Sequence, residues 1–178
     1  STDDRVDLVG VCDSSPATAA YNADLYRTTA YTDLADMLDR AAPAVVHVLT
    51  PPLSHPALLR MCLDAGADVV CEKPIAISAA ELDGLLDYAS ERGRRFIESQ
   101  NLRFNAETVA VRDKIASGVL GEVVAVDVDI ALNISGPGSR FADTNVPSAV
   151  DGLPGGAIHD FLPHMVYLQL DLLGFPDV

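Results

Sequence analysis

Short apolar runs alternate with amphipathic stretches through the first hundred residues. The run over 6–12 ends at Asp13 and predicts a strand. Residues 15–27 follow as a helix with Pro16 in its first turn, where a missing N–H costs nothing. Thr32 is placed to cap a short helix reaching Arg40. A second strand over 44–49 is stopped by Thr50-Pro51-Pro52. Ser54 opens the next helix, which carries Leu58, Leu59, Met61 and Leu63, and Gly66 suits its end. A third strand covers 69–71. Ser78 and Glu81 form a capping box, so a helix runs from there to about Arg92, with Gly93 behind it. A shorter fourth strand spans 95–98. Strands alternating with helices of this length imply βαβ units and a parallel sheet.

The pattern changes after Gln100, and a domain boundary is expected near 100–103. Residues 105–117 read as a helix. The stretch 121–133 then alternates, with Val124, Val126, Val128 and Ile130 on one face and Asp127 and Asp129 on the other. That period fits a strand with one wet face, often antiparallel. A Gly/Pro/Ser-rich loop is expected over 135–154, followed by a helix to Leu173 closed by Gly174. The fold class is therefore α/β: a Rossmann-type parallel sheet over 1–100, then the start of an α+β domain with a mostly antiparallel sheet over 101–178.

Composition narrows the function classes. The chain has 178 residues, is 49% hydrophobic and carries a formal charge of -14, mostly from Asp. Such a surface repels a phosphate backbone and anionic lipid alike, which excludes nucleic acid and membrane as partners. No apolar run is long enough to span a bilayer, so the chain reads as a cytoplasmic protein. Cys12, Cys62 and Cys71 have no metal-ligand spacing; free thiols in a reducing compartment fit them better than a disulfide, and no metal is expected.

Candidate chemistry sits at the strand ends. The third strand runs into Cys71-Glu72-Lys73-Pro74, and Lys73 is one of only two lysines. Ligands of open α/β sheets lie just outside such carboxyl ends. Asp13 ends the first strand. An acid at the second strand of a dinucleotide fold bonds the ribose hydroxyls about 20 residues after a glycine fingerprint. Only one glycine precedes Asp13. The sheet is thus expected to lack its first βα unit here. Read alone, Asp13 suits a turn or capping acid better than a ligand contact.

Five pieces in order resemble the glucose–fructose oxidoreductase / inositol dehydrogenase (Gfo/Idh/MocA) family. They are the Asp13 strand end, Thr50-Pro51-Pro52-Leu53-Ser54-His55, Cys71-Glu72-Lys73-Pro74, Gln100-Asn101-Leu102-Arg103-Phe104-Asn105, and the segment from Gly155 to His164 containing His159-Asp160. The resemblance implies an NAD(P)-dependent oxidoreductase acting on a sugar, cyclitol or related polyol. The alternative is a non-catalytic dinucleotide-sensing regulator on the same scaffold. It implies Lys73, Asp160 and His164 as the catalytic set, and a cis bond between Lys73 and Pro74. Asp13, Ser14, Thr50, Pro51, His55, Glu72, Lys73 and Arg103 are the implied cofactor-binding residues. Homo-oligomers are usual in the family. The chain departs from the pattern at Pro52, where Asn is usual, and at Leu162, where Gly is common.

The residues suit that chemistry. A histidine near neutral pKa can take or return a hydroxyl proton, and an ammonium can stabilise a developing alkoxide. Asp160 and His164 are four apart, on one helical face. Pro163 interrupts that helix unless it starts at Asp160 as N-cap, which would give Asp160 a structural role. His55, at a helix start, suits packing or capping. Arg103 suits either a ligand oxygen or a partner acid. A carboxylate at Asp13 welcomes ribose hydroxyls and repels a 2′-phosphate, so NAD is expected ahead of NADP, while Ser14 keeps NADP open.

Overall fold

Buried β-branched runs and capped helices alternate as βαβ units in the structure, a computed structural model that describes residues 5–131 and 152–174. The elements are β1 (Val11–Cys12), α1 (Pro16–Tyr26), β2 (Ala30–Tyr31), α2 (Leu34–Ala41), β3 (Val45–Val48) and α3 (His55–Asp64). They continue as β4 (Asp68–Cys71), α4 (Ala79–Glu91), β5 (Phe96–Glu98), α5 (Ala106–Ala116) and α6 (Ala157–Leu173). Single 3₁₀ turns occupy Pro52–Ser54 and Asn101–Phe104.

Among the described residues every strand pairing is parallel. β1 pairs with β2, and β3, β4 and β5 form a second sheet in that order. Val46 lies opposite Val69, and Val69 opposite Phe96. Parallel strands put their carboxyl ends on one rim. Thr50, the Glu72-Lys73 pair and Gln100 therefore stand together just past β3, β4 and β5.

The core lies under that rim. The inward face of α3 presents His55, Leu59, Cys62 and Leu63 at helical spacing. These meet Val46 and Val48 of β3, Val69 and Cys71 of β4, and Leu85 and Ala89 of α4. Burying each leucine contributes about 1.5–3 kcal/mol. The hydroxyl half of the Ser78 capping box forms, accepting from the Glu81 N–H at 3.2 Å, while the Glu81 carboxylate accepts the N–H of Ile77, one residue before the cap.

Several expectations need correction. The first strand shrinks from 6–12 to Val11–Cys12, because pairing begins only where β2 runs alongside. β2 itself, at two residues, is too short to show a period. The cap of α2 is Asp33, not Thr32; its carboxylate accepts the Asp36 N–H at 2.9 Å. Ser54 does open α3 as its N-cap residue, but it also ends the Pro52–Ser54 turn and its side chain makes no capping hydrogen bond to the helix. No strand forms over 121–131, and Val124 is exposed. Alternation supplies two faces but no ladder partner, and among the described residues that segment has none. The antiparallel sheet is accordingly not seen, and most of the predicted 135–154 loop lies outside the described residues.

α6 begins three residues before Asp160, with Gly156 as N-cap. Gly155 and Gly156 both take positive φ, which turns the chain into the helix without a capping side chain. The helix then runs through Pro163 with one internal hydrogen bond lost. Asp160 is thus in the first turn and not the cap. Among the described residues, no helix is long and apolar enough to cross a membrane, and no His/Cys/Asp/Glu group could hold a metal ion.

Candidate active site

Parallel topology delivers Lys73 to the rim at the end of β4, and α6 crosses over it. The Lys73 Nζ donates to the Asp160 carboxylate at 2.5 Å and to the Asp160 main-chain oxygen at 2.8 Å. The two side chains are only 11% and 16% exposed. An ammonium has three N–H donors, so one is left for a ligand. Lys73 also stands 5.6 Å from the centre of the Phe161 ring. The Lys73–Pro74 peptide bond is cis, as the resemblance implies.

Four polar residues line one face of α6: Asp160, His164, Tyr167 and Asp171. Their spacing follows the helical repeat. Each has a partner. Asp160 takes Lys73. The His164 Nδ1 meets the Tyr167 hydroxyl at 2.6 Å, and that hydroxyl accepts the Leu102 N–H at 3.2 Å. Asp171, its side chain 6% exposed, takes the Arg103 guanidinium through Nε at 2.9 Å and through Nη2, and Arg112 at 3.3 Å. One helix face thereby fastens to the loop after β4, to the Asn101–Phe104 turn and to α5.

Burial depresses the His164 pKa from its ordinary value, and the Lys73 charge adds to this; Asp160, Glu72 and Glu98 pull weakly the other way. The ring is therefore neutral at pH 7. Burial pushes the Cys62 thiol up to about 11 and Cys71 up to about 12, with Glu72 and Glu98 adding to the latter. The cysteines are free, and these two stay protonated and pack as small apolar groups.

The other predicted residues fall in three places. The Thr50 hydroxyl donates to Ser54 at 2.7 Å, and Ser54 donates to the Pro51 carbonyl, so this loop is held by its own side chains with Thr50 and Pro51 exposed. Glu72 is half-buried and accepts the Lys73 N–H at 3.2 Å. Asp13 lies past β1, on the two-stranded sheet. One oxygen accepts the Ser15 N–H at 2.8 Å, the second has no hydrogen-bond partner among the described residues, and Ser14 is exposed beside it. His55 is wholly buried, Nδ1 2.9 Å from the Pro74 carbonyl and Nε2 2.7 Å from that of Thr50. Arg103 is occupied by Asp171 and Gln100. His55 thereby ties the two strand-end loops together, and Arg103 ties the rim to α6. Beyond Lys73, an open cleft of about 420 Å³ lies between Ile75, Ile77, Leu82, Glu98 and His159.

Residues 1–100 match the model of an oxidoreductase family with an NAD-binding Rossmann fold, Gfo/Idh/MocA. The chain belongs to that family. Among family relatives, D-glucoside 3-dehydrogenase of Escherichia coli (strain K12) is 30% identical over 99% of this chain. The alignment covers 49% of that enzyme, so the chain spans about half its length. The WlbA dehydrogenase of Bordetella pertussis, solved with NADH and UDP-GlcNAcA, is similar at 28% identity and a TM-score of 0.59, covering 66% of this chain and 37% of that one. A putative myo-inositol dehydrogenase of Sinorhizobium meliloti 1021 has 29% identity and a TM-score of 0.63, covering 67% and 36%.

Tyr167 and Asp171 were missed by the motif reading. Their signal is the spacing: polar residues three and seven positions past His164, on the same face of a largely apolar helix.

Proposed function

We propose that the chain carries the cofactor-facing half of an NAD(P)-dependent oxidoreductase acting on a secondary carbinol of a sugar, cyclitol or related polyol. The observation that carries this is the meeting of Lys73 with Asp160 on the rim, with His164 one turn along the same helix face. Residues 1–100 are the Rossmann portion and 101–178 the first part of a substrate domain. The E. coli relative's glucoside activity, and the nucleotide sugar held by the Bordetella enzyme, support the substrate class.

The residues fit a dinucleotide. Asp13 has one carboxylate oxygen uncommitted at a strand end, Lys73 has one spare donor, and the Thr50-Pro51 loop is open. Asp13, Ser14, Thr50, Pro51, Glu72 and Lys73 are the residues proposed to hold it. When bound, the nicotinamide takes or gives the hydride. Asp160 fixes the ammonium of Lys73, whose third N–H binds the reacting oxygen and stabilises its negative charge. His164 holds, at Nε2, the proton that this oxygen gains or loses.

The test is absorbance of reduced nicotinamide, using the longest polypeptide the gene encodes, with a panel of sugars, glycosides and cyclitols. Turnover on at least one is expected, and nucleotide binding without turnover on any would reject the reading. The depressed His164 pKa sets the acid limb. Activity that needs a neutral ring should hold as pH falls through 6.5 and decline only below it. A limb at or above 6.5 would remove His164 from the proton path. Asp13→Ala should weaken NAD more than NADP, read as the ratio of their dissociation constants. A ratio moving the other way would mean Asp13 does not face the ribose hydroxyls.

A further inference from the structure

We propose that Tyr167 is a positioning residue for His164: it keeps the neutral imidazole protonated on Nε2 and so presents an N–H to the substrate oxygen. This rests on the reading of His164 given above and adds to it. The argument counts hydrogens. The Leu102 N–H can only donate, so the Tyr167 oxygen accepts there. The hydroxyl has one hydrogen of its own. Among the described residues its sole remaining partner is the His164 Nδ1. The 2.6 Å separation suits an O–H donor, whereas N–H donors to oxygen sit nearer 2.9 Å. Tyr167 is 6% exposed, so leaving that hydrogen unpaired is costly. With Nδ1 accepting, the proton of a neutral ring sits on Nε2. That nitrogen has no partner among the described residues. The two rings meet edge to face, with centroids 5.4 Å apart, which fixes the imidazole plane.

The charges facing the ring keep both groups neutral. Lys73 after β4 and burial both disfavour the imidazolium, against weaker pulls from Asp160 on α6, Glu72 after β4 and Glu98 on β5. Burial also holds the Tyr167 hydroxyl above the ordinary phenol value. A bound carbonyl accepts a hydrogen bond from this Nε2–H; to give the proton up to the product oxygen the ring must first be imidazolium, so that it ends neutral and not as imidazolate. A bound hydroxyl needs the other tautomer, and a phenol can follow the ring into it, since it accepts as well as donates. A carboxylate in the same place would only accept.

Histidine ¹⁵N spectra across a pH series test this, with His164 identified by the signals lost in His164→Gln. The parent should show an accepting Nδ1 and a protonated Nε2. Tyr167→Phe removes a bond made to the neutral ring, so the His164 titration should move up by roughly 0.5–1 pH unit. Incorporating 3-fluorotyrosine strengthens the donor without changing the shape, and should move it down. A titration that is unmoved or lowered in Tyr167→Phe would overturn the proposal. If that variant does not fold, an unmoved or raised titration in the fluorinated protein does so. The readout needs no turnover. An inactive protein with the expected shifts would reject the polyol reading and leave only the tautomer assignment standing.

Discussion

Lys73→Met is expected to lower kcat by about 10²- to 10³-fold while the protein still binds nucleotide. A charge-stabilising donor aimed at the reacting oxygen acts mainly in the transition state, and losses of that order follow its removal. Methionine keeps most of the apolar stem, one atom shorter, and loses the charge. The same change strands the Asp160 carboxylate, which is only 16% exposed and has Lys73 as its ion-pair partner. Breaking one side of such a pair costs on the order of 3 kcal/mol. Urea unfolding should therefore shift to lower concentration in parallel with the kinetic loss. The two effects separate in the double variant Lys73→Met/Asp160→Asn, which removes the stranded charge and should recover most of the stability while turnover stays low. Unchanged turnover in Lys73→Met would mean that the ammonium does not face the reacting carbon.

Asp171→Ala is expected to be strongly destabilising. Asp171 is nearly buried and shared by two arginines, each somewhat more than a third exposed. The arginines can turn to water once their acid is gone, which keeps the cost below that of a fully buried pair. About 2–3 kcal/mol follows, read as a lower urea midpoint. Asp171→Asn should cost less, because it keeps one acceptor. Since the same helix carries His164, Asp171→Ala should also lower kcat without altering the substrate list. A midpoint equal to the parent's would show that the two guanidiniums hold nothing in place.

The sequence made the local elements legible. α3, β4 and α4 carry their own signals: an inward stripe from Leu59 to Leu63, a β-branched run before Lys73, and Ser78 with Glu81. The Lys73, Asp160 and His164 set was legible by resemblance, and the structure brings its ion pair together. What was hidden depends on partners far along the chain. Nothing near His55 tells that Pro74 and Thr50 carbonyls will take both its nitrogens. Arg103 looks free until Asp171, 68 residues on, arrives beside it. No capping side chain marks the start of α6; Gly155 and Gly156 do the turning. The 121–131 segment has the period of a strand, but a period cannot supply a neighbouring ladder.

The polar face of α6 has an implication for how the gene can vary. Each residue along a helix advances about 100° around its axis. Losing a single codon between Asp160 and Asp171 would swing the later members of the row away from Leu102 and Arg103. Chemistry and anchorage would be lost together, even though every functional side chain remained encoded. Deleting two full turns, seven residues, would preserve the facing direction but shorten the row. Natural length changes should consequently collect outside this helix, and none should fall between the carboxylate that holds the lysine and the one that holds the arginines.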